Sequence, residues 1–150
     1  MKNVDKTDLA ILRALMKNAR ASYREVASQI GVAVGTVQHR MQKLEKKGIL
    51  KGFRPVIDYS KLGYEVAAII SLETPRGLNE ELEEKLAKNP HVNSIYHTAG
   101  DVDIFIRVKF KHTDELHQFL QTELTDKYVK KSKTYIIMDK KRAYGKLMME

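Results

Sequence analysis

Two hydrophobic periodicities divide the chain. Up to about residue 50, apolar residues recur at every third or fourth position, which is the spacing of amphipathic helices. Further along, several runs alternate apolar and polar residues, which is the pattern of half-buried β-strands. The change of period predicts a small helical domain followed by a domain that mixes strands and helices.

Residues 22–48 predict two short helices joined by a tight turn. Ser22 and Glu25 have the spacing of a capping box, so a helix is expected to begin at Ser22. Gly31 suits the left-handed conformation that ends a helix. A second helix is predicted from Val34 to Lys47, before Gly48. Its expected buried face consists of Val34, Val37, Met41 and Leu44.

An earlier helix completes this domain. Asp5 and Asp8 suit a helix start, and the expected apolar stripe is Leu9, Leu12, Leu15 and Met16. Three helices with a tight turn between the last two form a helix-turn-helix, whose second helix is shaped to enter the major groove of DNA.

The outer face of the second predicted helix is polar and basic. We expect it to contact DNA, with the main chain at Gly35 able to approach another surface closely. Residues at the start of the preceding helix are expected to touch phosphates. The candidate DNA-binding residues are Tyr23, Arg24, Gly35, Thr36, Gln38, His39, Arg40 and Lys43. A helical hairpin whose basic face is merely solvated fits the pattern too.

The charge distribution favours DNA. The chain has 27 Lys and Arg against 19 Asp and Glu. Residues 1–63 carry 13 basic and 5 acidic side chains, whereas residues 64–150 carry 14 of each. All of the excess positive charge therefore belongs to the first part, which indicates a polyanionic partner for that part alone.

The second part predicts the element order βαββαβ, which is the ferredoxin-like arrangement. The expected strands are 64–72, 92–98, 102–110 and 134–138. The first expected helix carries the apolar residues Leu78, Leu82 and Leu86. The second is capped by Thr113 and carries Leu116, Phe119, Leu120 and Leu124. Helices cover one face of such a sheet. Ile69 and Phe105 would point to the other face, which a second copy of the chain could cover.

The predicted fold class is therefore α+β, with an N-terminal, winged-helix-like helix-turn-helix domain and a C-terminal ferredoxin-like domain. The expected boundaries are 1–52 for the first domain, 53–63 for a hinge strand or linker that contains Pro55, and 64–150 for a ligand-sensing and oligomerisation domain.

Composition argues against enzymatic chemistry. The chain has no cysteine, which excludes disulfides and thiolate metal sites. Its five histidines show no convincing metal-ligand spacing, and neither a nucleophile with its base nor a phosphate-binding glycine loop is present. We expect no catalytic residues, metal or cofactor. The polar N-terminus and the lack of an apolar run of about 20 residues argue against a signal peptide or a membrane span, so a cytoplasmic protein is expected.

Several short motifs in a fixed order resemble the Lrp/AsnC family, the leucine-responsive or feast/famine regulators. They are Asp5-x-x-Asp8-x-x-Ile11-Leu12, Gly31-Val32 through Arg40, Leu44-Glu45-x-x-Gly48-Ile49, Gly52-Phe53, Leu62-Gly63 and Gly100-Asp101-Val102-Asp103. The resemblance spans Asp5 to about Met138. It implies a DNA-binding domain, a hinge strand and a ferredoxin-like regulatory domain.

The resemblance also implies how the regulatory domain works. In this family it dimerises through its sheet, dimers gather into higher oligomers, here expected to be octamers, and amino acids bind between dimers near the Gly-Asp-x-Asp turn. The effector residues so implied are Tyr96, Thr98, Ala99, Gly100, Asp101, Asp103 and Thr134. Without the resemblance, Asp101 is simply a turn residue and Asp103 a strand edge.

The chain departs from the family pattern at two positions. Ala33 stands where a serine often caps the recognition helix, and this removes a cap worth about 1 kcal/mol. Val102 stands where an aromatic residue is frequent, which leaves open the identity of the effector.

The function predicted from the sequence is a transcription regulator that binds a palindromic double-stranded operator and responds to a free amino acid. Two other readings remain. The first is an architectural protein that organises DNA without responding to a ligand. The second, much weaker, is a ferredoxin-like enzyme with a fused basic domain.

Overall fold

The structure, a computed structural model, describes residues 4–75, 77, 79–125 and 127–139. Contacts within the chain divide it into two compact units, with the break between Val56 and Ile57. Each unit has a hydrophobic core of its own. The break falls inside the segment 53–63 that the sequence predicts as a linker.

The N-terminal unit consists of three helices, α1 (Lys6–Lys17), α2 (Tyr23–Ile30) and α3 (Val34–Lys46), and no strand lies between residues 4 and 56. Both predicted starts are confirmed. Asp5 and Asp8 form a capping box at α1, as Ser22 and Glu25 do at α2. Gly31 ends α2 with φ +72°, in the left-handed region where only glycine is unstrained.

The buried face of α1 differs from the predicted stripe. Leu15 is buried as predicted, together with Ile11 and Ala14, whereas Met16 is 53% exposed. Ile11, Ala14 and Leu15 themselves have helical spacing. On α3, Val37, Met41 and Leu44 are buried as predicted, but Val34 in the first turn is 44% exposed.

The predicted hinge strand is not formed in the single chain. Residues 51–58 have no regular secondary structure, and a single 3-10 turn follows at Ser60–Leu62. A strand needs a neighbour with which to exchange hydrogen bonds, and Pro55 has no amide hydrogen to donate. The described residues place no strand beside this segment.

The C-terminal unit has the predicted order βαββαβ. Its elements are β1 (Val66–Glu73), α4 (Asn79–Ala87), β2 (Val92–His97), β3 (Ile104–Phe110), α5 (Thr113–Glu123) and β4 (Lys131–Ile136). The strands form one antiparallel sheet in the order β2-β3-β1-β4. Thr113 is the first residue of α5 and not its cap, because the extended residue His112 takes that place without a side-chain bond. Leu78, predicted on the first helix of this part, lies outside the described residues.

Alternation along the central strands separates the two faces of the sheet. One face is buried together with α4 and α5, and its residues include Ala68, Ile70, Leu72, Ile104, Ile106 and Val108. The opposite face, which we call the open face, carries Ile69, Phe105, Tyr96 and Tyr135. Ile69 is 39% exposed and Tyr96 is 58% exposed, so the described part of a single chain leaves this face uncovered.

Candidate nucleic-acid interface and effector site

The exposed face of α3 is fixed by the face that it buries. Because Val37, Met41 and Leu44 point into the core, residues half a turn away project outward. We call this exposed set the α3 outer face; it comprises Gly35, Thr36, Gln38, His39, Gln42, Lys43 and Lys46. The candidate list from the sequence omitted Gln42 and Lys46, although their spacing from His39 and Lys43 at three residues places them beside that face.

Arg40 is the one sequence candidate on α3 with partners inside the N-terminal unit. Its Nη1 donates hydrogen bonds to the Oδ2 of Asp5 and to the Oδ1 of Asp8, the latter at 3.2 Å. Asp8 is only 2% exposed. Sequence reasoning missed this contact because it joins residues 32 and 35 positions apart. Arg40 therefore ties the start of α1 to the middle of α3.

Three of the four acidic groups between residues 4 and 56 take part in helix caps, and the fourth, Glu45, is exposed on α3. The backbone amide of Asp8 and the guanidinium of Arg40 lower the pKa of Asp5. The carboxylate of Glu25 accepts a hydrogen bond from the Ser22 amide at 2.6 Å, and this bond lowers the pKa of Glu25. With these carboxylates engaged, the lysines of the α3 outer face dominate the charge that a partner meets.

The starts of α2 and α3 differ in their capping. Tyr23 and Arg24 begin α2 and are exposed, with Tyr23 at 40%. Ala33 precedes α3 in extended conformation and provides no side-chain hydrogen bond, in line with the departure noted in the sequence. The amides of the first turn of α3 therefore have no side-chain cap, and such amides favour oxygen acceptors such as those of DNA.

The loop from residue 98 to residue 103 joins β2 to β3 and is closed by its own hydrogen bonds. The Thr98 amide donates to the Asp103 carbonyl at 2.8 Å, and its hydroxyl donates to the Val102 carbonyl at 2.6 Å. Gly100 has φ +146°, a conformation that favours glycine. The loop thus presents the residue after Gly100 to solvent in a defined position.

The two aspartates of this loop have different surroundings. The Asp103 carboxylate accepts hydrogen bonds from the Thr74 amide at 2.7 Å and from the Thr74 hydroxyl at 3.2 Å. Thr74 is buried, so Asp103 satisfies an amide that water does not reach. Asp101 is exposed. Asp101 is therefore the carboxylate of this pair that is open to a ligand, whereas Asp103 holds the loop against the end of β1.

Two hollows lie on the open face. One, of about 340 Å³, is bordered by Asp101 and Glu73 and by Lys131 and Lys133. The other, of about 600 Å³, is largely apolar and includes Tyr96, Thr98, Ile69 and Arg107. Phe105 borders both hollows.

The single chain does not gather all the predicted effector residues. Asp101 borders the first hollow and Tyr96 and Thr98 the second, while Ala99, Gly100, Asp103 and Thr134 border neither. Thr134 is paired with the buried Ile70, so it belongs to the face opposite the open one, away from Asp101. The backbone register that turns Thr134 away was not visible in the sequence.

Within the described ranges, no group of three or more His, Cys, Asp or Glu side chains is arranged to hold a metal ion. The same residues include no helix that is both long and apolar enough to cross a membrane.

Two family models match the chain. Residues 4–51 match a winged helix-turn-helix DNA-binding model, and residues 67–146 match the Lrp/AsnC ligand binding domain. The first match contains α1 to α3, and the second contains the sheet and the loop of Asp101.

Named relatives extend over both matches. The chain is 38% identical over 125 residues to the regulatory protein AsnC of Haemophilus influenzae, covering 83% of each chain. Among solved structures, AsnC of Escherichia coli has a TM-score of 0.87 at 30% identity, over 95% of this chain and 97% of that one. A transcriptional regulator of Neisseria meningitidis in complex with L-methionine has a TM-score of 0.90 at 21% identity, covering 97% of this chain and 96% of the other.

Proposed function

The chain belongs to the Lrp/AsnC family of DNA-binding transcriptional regulators, and we propose that it recognises a specific operator sequence and that a free amino acid changes its assembly or its affinity for DNA. The family supplies the helix-turn-helix and the ligand-binding domain, and its members act as regulators and not as enzymes. Our proposal is that the chain recognises a specific operator, responds to a free amino acid and forms an oligomer.

The α3 outer face supports the DNA part of the proposal. It projects polar and basic side chains from a helix whose other face is anchored in the core. In helix-turn-helix proteins such a helix enters the major groove, and the start of the preceding helix meets the backbone. We therefore assign base and groove contacts to Thr36, Gln38, His39 and Gln42, and phosphate contacts to Lys43, Tyr23 and Arg24.

The loop of Asp101 supports the effector part, and its exposed carboxylate is the observation that carries it. An amino acid presents an ammonium and a carboxylate, and the hollow beside Asp101 is bordered by both acidic and basic side chains. Asp101 suits the ammonium, and Lys133 suits the carboxylate. The Neisseria relative binds L-methionine, which shows an amino acid as ligand in that protein.

Assembly is the third part of the proposal. The open face exposes aromatic and aliphatic side chains that a second copy would cover, which makes a dimer through the sheet the simplest pairing. Further association toward an octamer follows the family resemblance. A two-fold dimer carries two recognition helices, so the operator is expected to be an imperfect palindrome with half-sites about one helical turn, or a multiple, apart.

Binding-site selection from random duplexes, followed by titration of selected and random DNA at several salt concentrations, tests the DNA part. A sequence-specific regulator prefers its site by at least about 10³-fold, whereas an architectural DNA organiser binds both nearly equally. Nearly equal affinities would overturn our proposal in favour of the architectural reading.

Calorimetry with each of the twenty amino acids tests the effector part. At least one is expected to give heat at millimolar concentration and to shift either the sedimentation profile or DNA affinity. By linkage, if assembly strengthens binding of that amino acid, the amino acid must strengthen assembly equally. If none of the twenty amino acids gave heat, the proposed response to an amino acid would be contradicted.

A further inference from the structure

Among the described glycines, Gly35 is the one whose backbone conformation does not require a glycine. Seven glycines are described, and the other six have positive φ, where a side chain would be strained. Gly35 lies in the first turn of α3 with ordinary helical geometry. An L-residue would adopt that conformation without strain.

Packing inside the protein does not require glycine there either. A Cβ atom built at Gly35 would meet no atom within 4 Å. In a helix, glycine is less favourable than every residue except proline, and alanine is the best helix former. Gly35 therefore lowers helix stability, and no contact or turn among the described residues requires a glycine there.

We propose that DNA contacts the main chain of α3 at Gly35, more closely than a Cβ atom would allow. This inference rests on the proposed binding of DNA by the α3 outer face, and it adds the place of closest approach. Gly35 shares that face with His39 one turn later. Because Ala33 provides no side-chain cap, the amides of Val34 and Gly35 have no hydrogen-bond partner among the described residues and are open to oxygen atoms of DNA, whereas the Thr36 amide donates to the Ala33 carbonyl at 3.0 Å.

The proposal predicts opposite effects on stability and on binding. In the full-length protein, Gly35→Ala should raise the thermal midpoint by roughly 2–4 °C, since alanine favours the helix. It should weaken DNA binding by roughly 5- to 150-fold, the range expected when one groove contact is lost. Gly35→Leu should weaken binding further, because its longer side chain holds the surfaces farther apart.

Ser28→Ala is the matched control. Ser28 is exposed on α2 and belongs to none of the proposed contacts, and alanine favours the helix there too. This variant should raise the midpoint and leave DNA affinity unchanged. A loss of DNA affinity in Gly35→Ala but not in Ser28→Ala would show that the effect comes from close approach of DNA to Gly35 and not from a general stiffening of the unit.

The measurements use a duplex selected by the wild-type protein and a random duplex of equal length. The proposal is overturned if Gly35→Ala binds both duplexes as wild type does, whatever Gly35→Leu does. A lowered midpoint in Gly35→Ala would overturn it too, since the glycine would then have an internal role. A wild-type protein without preference between the duplexes would overturn sequence-specific regulation alone, because the Gly35 comparison can still be made on random DNA.

Discussion

Asp101 and Asp103 are two residues apart and have different structural roles. One faces solvent beside a hollow with charged walls, while the other satisfies the buried amide of Thr74. The family resemblance made both of them effector candidates. The hydrogen-bond partners of Asp103 separate the two roles.

Asp101→Ala should abolish the response to the amino-acid effector while changing the free energy of unfolding by less than about 0.5 kcal/mol, as is usual for an exposed position. Asp103→Ala should cost about 1–3 kcal/mol, because it leaves a buried amide without an acceptor. Calorimetric titration and chemical denaturation of both variants measure the difference. Equal stabilities of the two variants would contradict the role of Asp103 in holding the loop.

Arg40 and Lys43 are neighbours on α3 with different expected roles. Arg40→Ala should lower the thermal midpoint, because it leaves the buried carboxylate of Asp8 without its cation. Lys43→Ala should leave the midpoint unchanged and reduce the slope of log affinity against log salt by about 1, as for one lost phosphate contact.

Thermal denaturation and DNA titration at several salt concentrations check both variants. Arg40→Lys keeps the charge, and it should recover part of the midpoint lost in Arg40→Ala. If Arg40→Ala instead kept the wild-type midpoint and lost one unit of salt slope, Arg40 would contact DNA, as predicted from the sequence, and the contact would be to a phosphate.

At the level of elements, two of the three N-terminal helices begin with reciprocal capping boxes. Hydrogen bonds to the Asp5 and Glu25 carboxylates lower their pKa values from the ordinary 3.8 and 4.5. These caps therefore favour the folded state fully at pH values above the ordinary pKa values. Their stabilisation is lost as the pH falls through the lower folded-state values.

As the pH falls below about 4.5, we expect the N-terminal unit to lose stability, and we expect the double variant Asp5→Asn with Glu25→Gln to lose less of its own stability over the same fall in pH. Thermal midpoints measured every half pH unit test this expectation. Wild-type and variant curves that run parallel would show that the caps do not contribute to acid sensitivity.

Elements were predictable where their signals are local. Ser22 with Glu25, Gly31, and the alternation from Val102 to Phe110 each act within a few residues. The structure has the predicted helix start and turn, and the strand begins at Ile104, two residues later than predicted. Contacts between distant segments were not predictable. The pairing of Arg40 with Asp8, and of Asp103 with Thr74, depends on how elements pack, which a single sequence does not reveal.

At the scale of the whole molecule, the open face of the sheet is the surface through which we propose that the chain pairs with a second copy. Ile69 lies near its centre, between Arg107 on β3 and Tyr135 on β4. An ionic side chain there would have to be buried in a dimer, which is costly unless the charge is paired.

Ile69→Lys, which puts a second cation beside Arg107, should therefore shift the protein toward monomer, as measured by sedimentation at micromolar concentration. Thr134→Lys is the matched control, because Thr134 belongs to the other face and is exposed. This control should keep the wild-type sedimentation profile. A wild-type protein that already sediments as a monomer would contradict both the dimer and the palindromic operator.

In the dimer that we propose, the segment 51–58, which joins the two units without regular structure, would set how the second recognition helix finds DNA after the first has bound. Eight residues reach at most about 26–29 Å when fully extended. In a dimer, such a short tether would give the free recognition helix a high effective concentration at the neighbouring half-site, in the millimolar range for short flexible linkers. Inserting flexible residues here would lower that concentration and loosen the required half-site spacing. An effector could then act on transcription by changing where the tethers are anchored, without touching the protein–DNA contacts themselves.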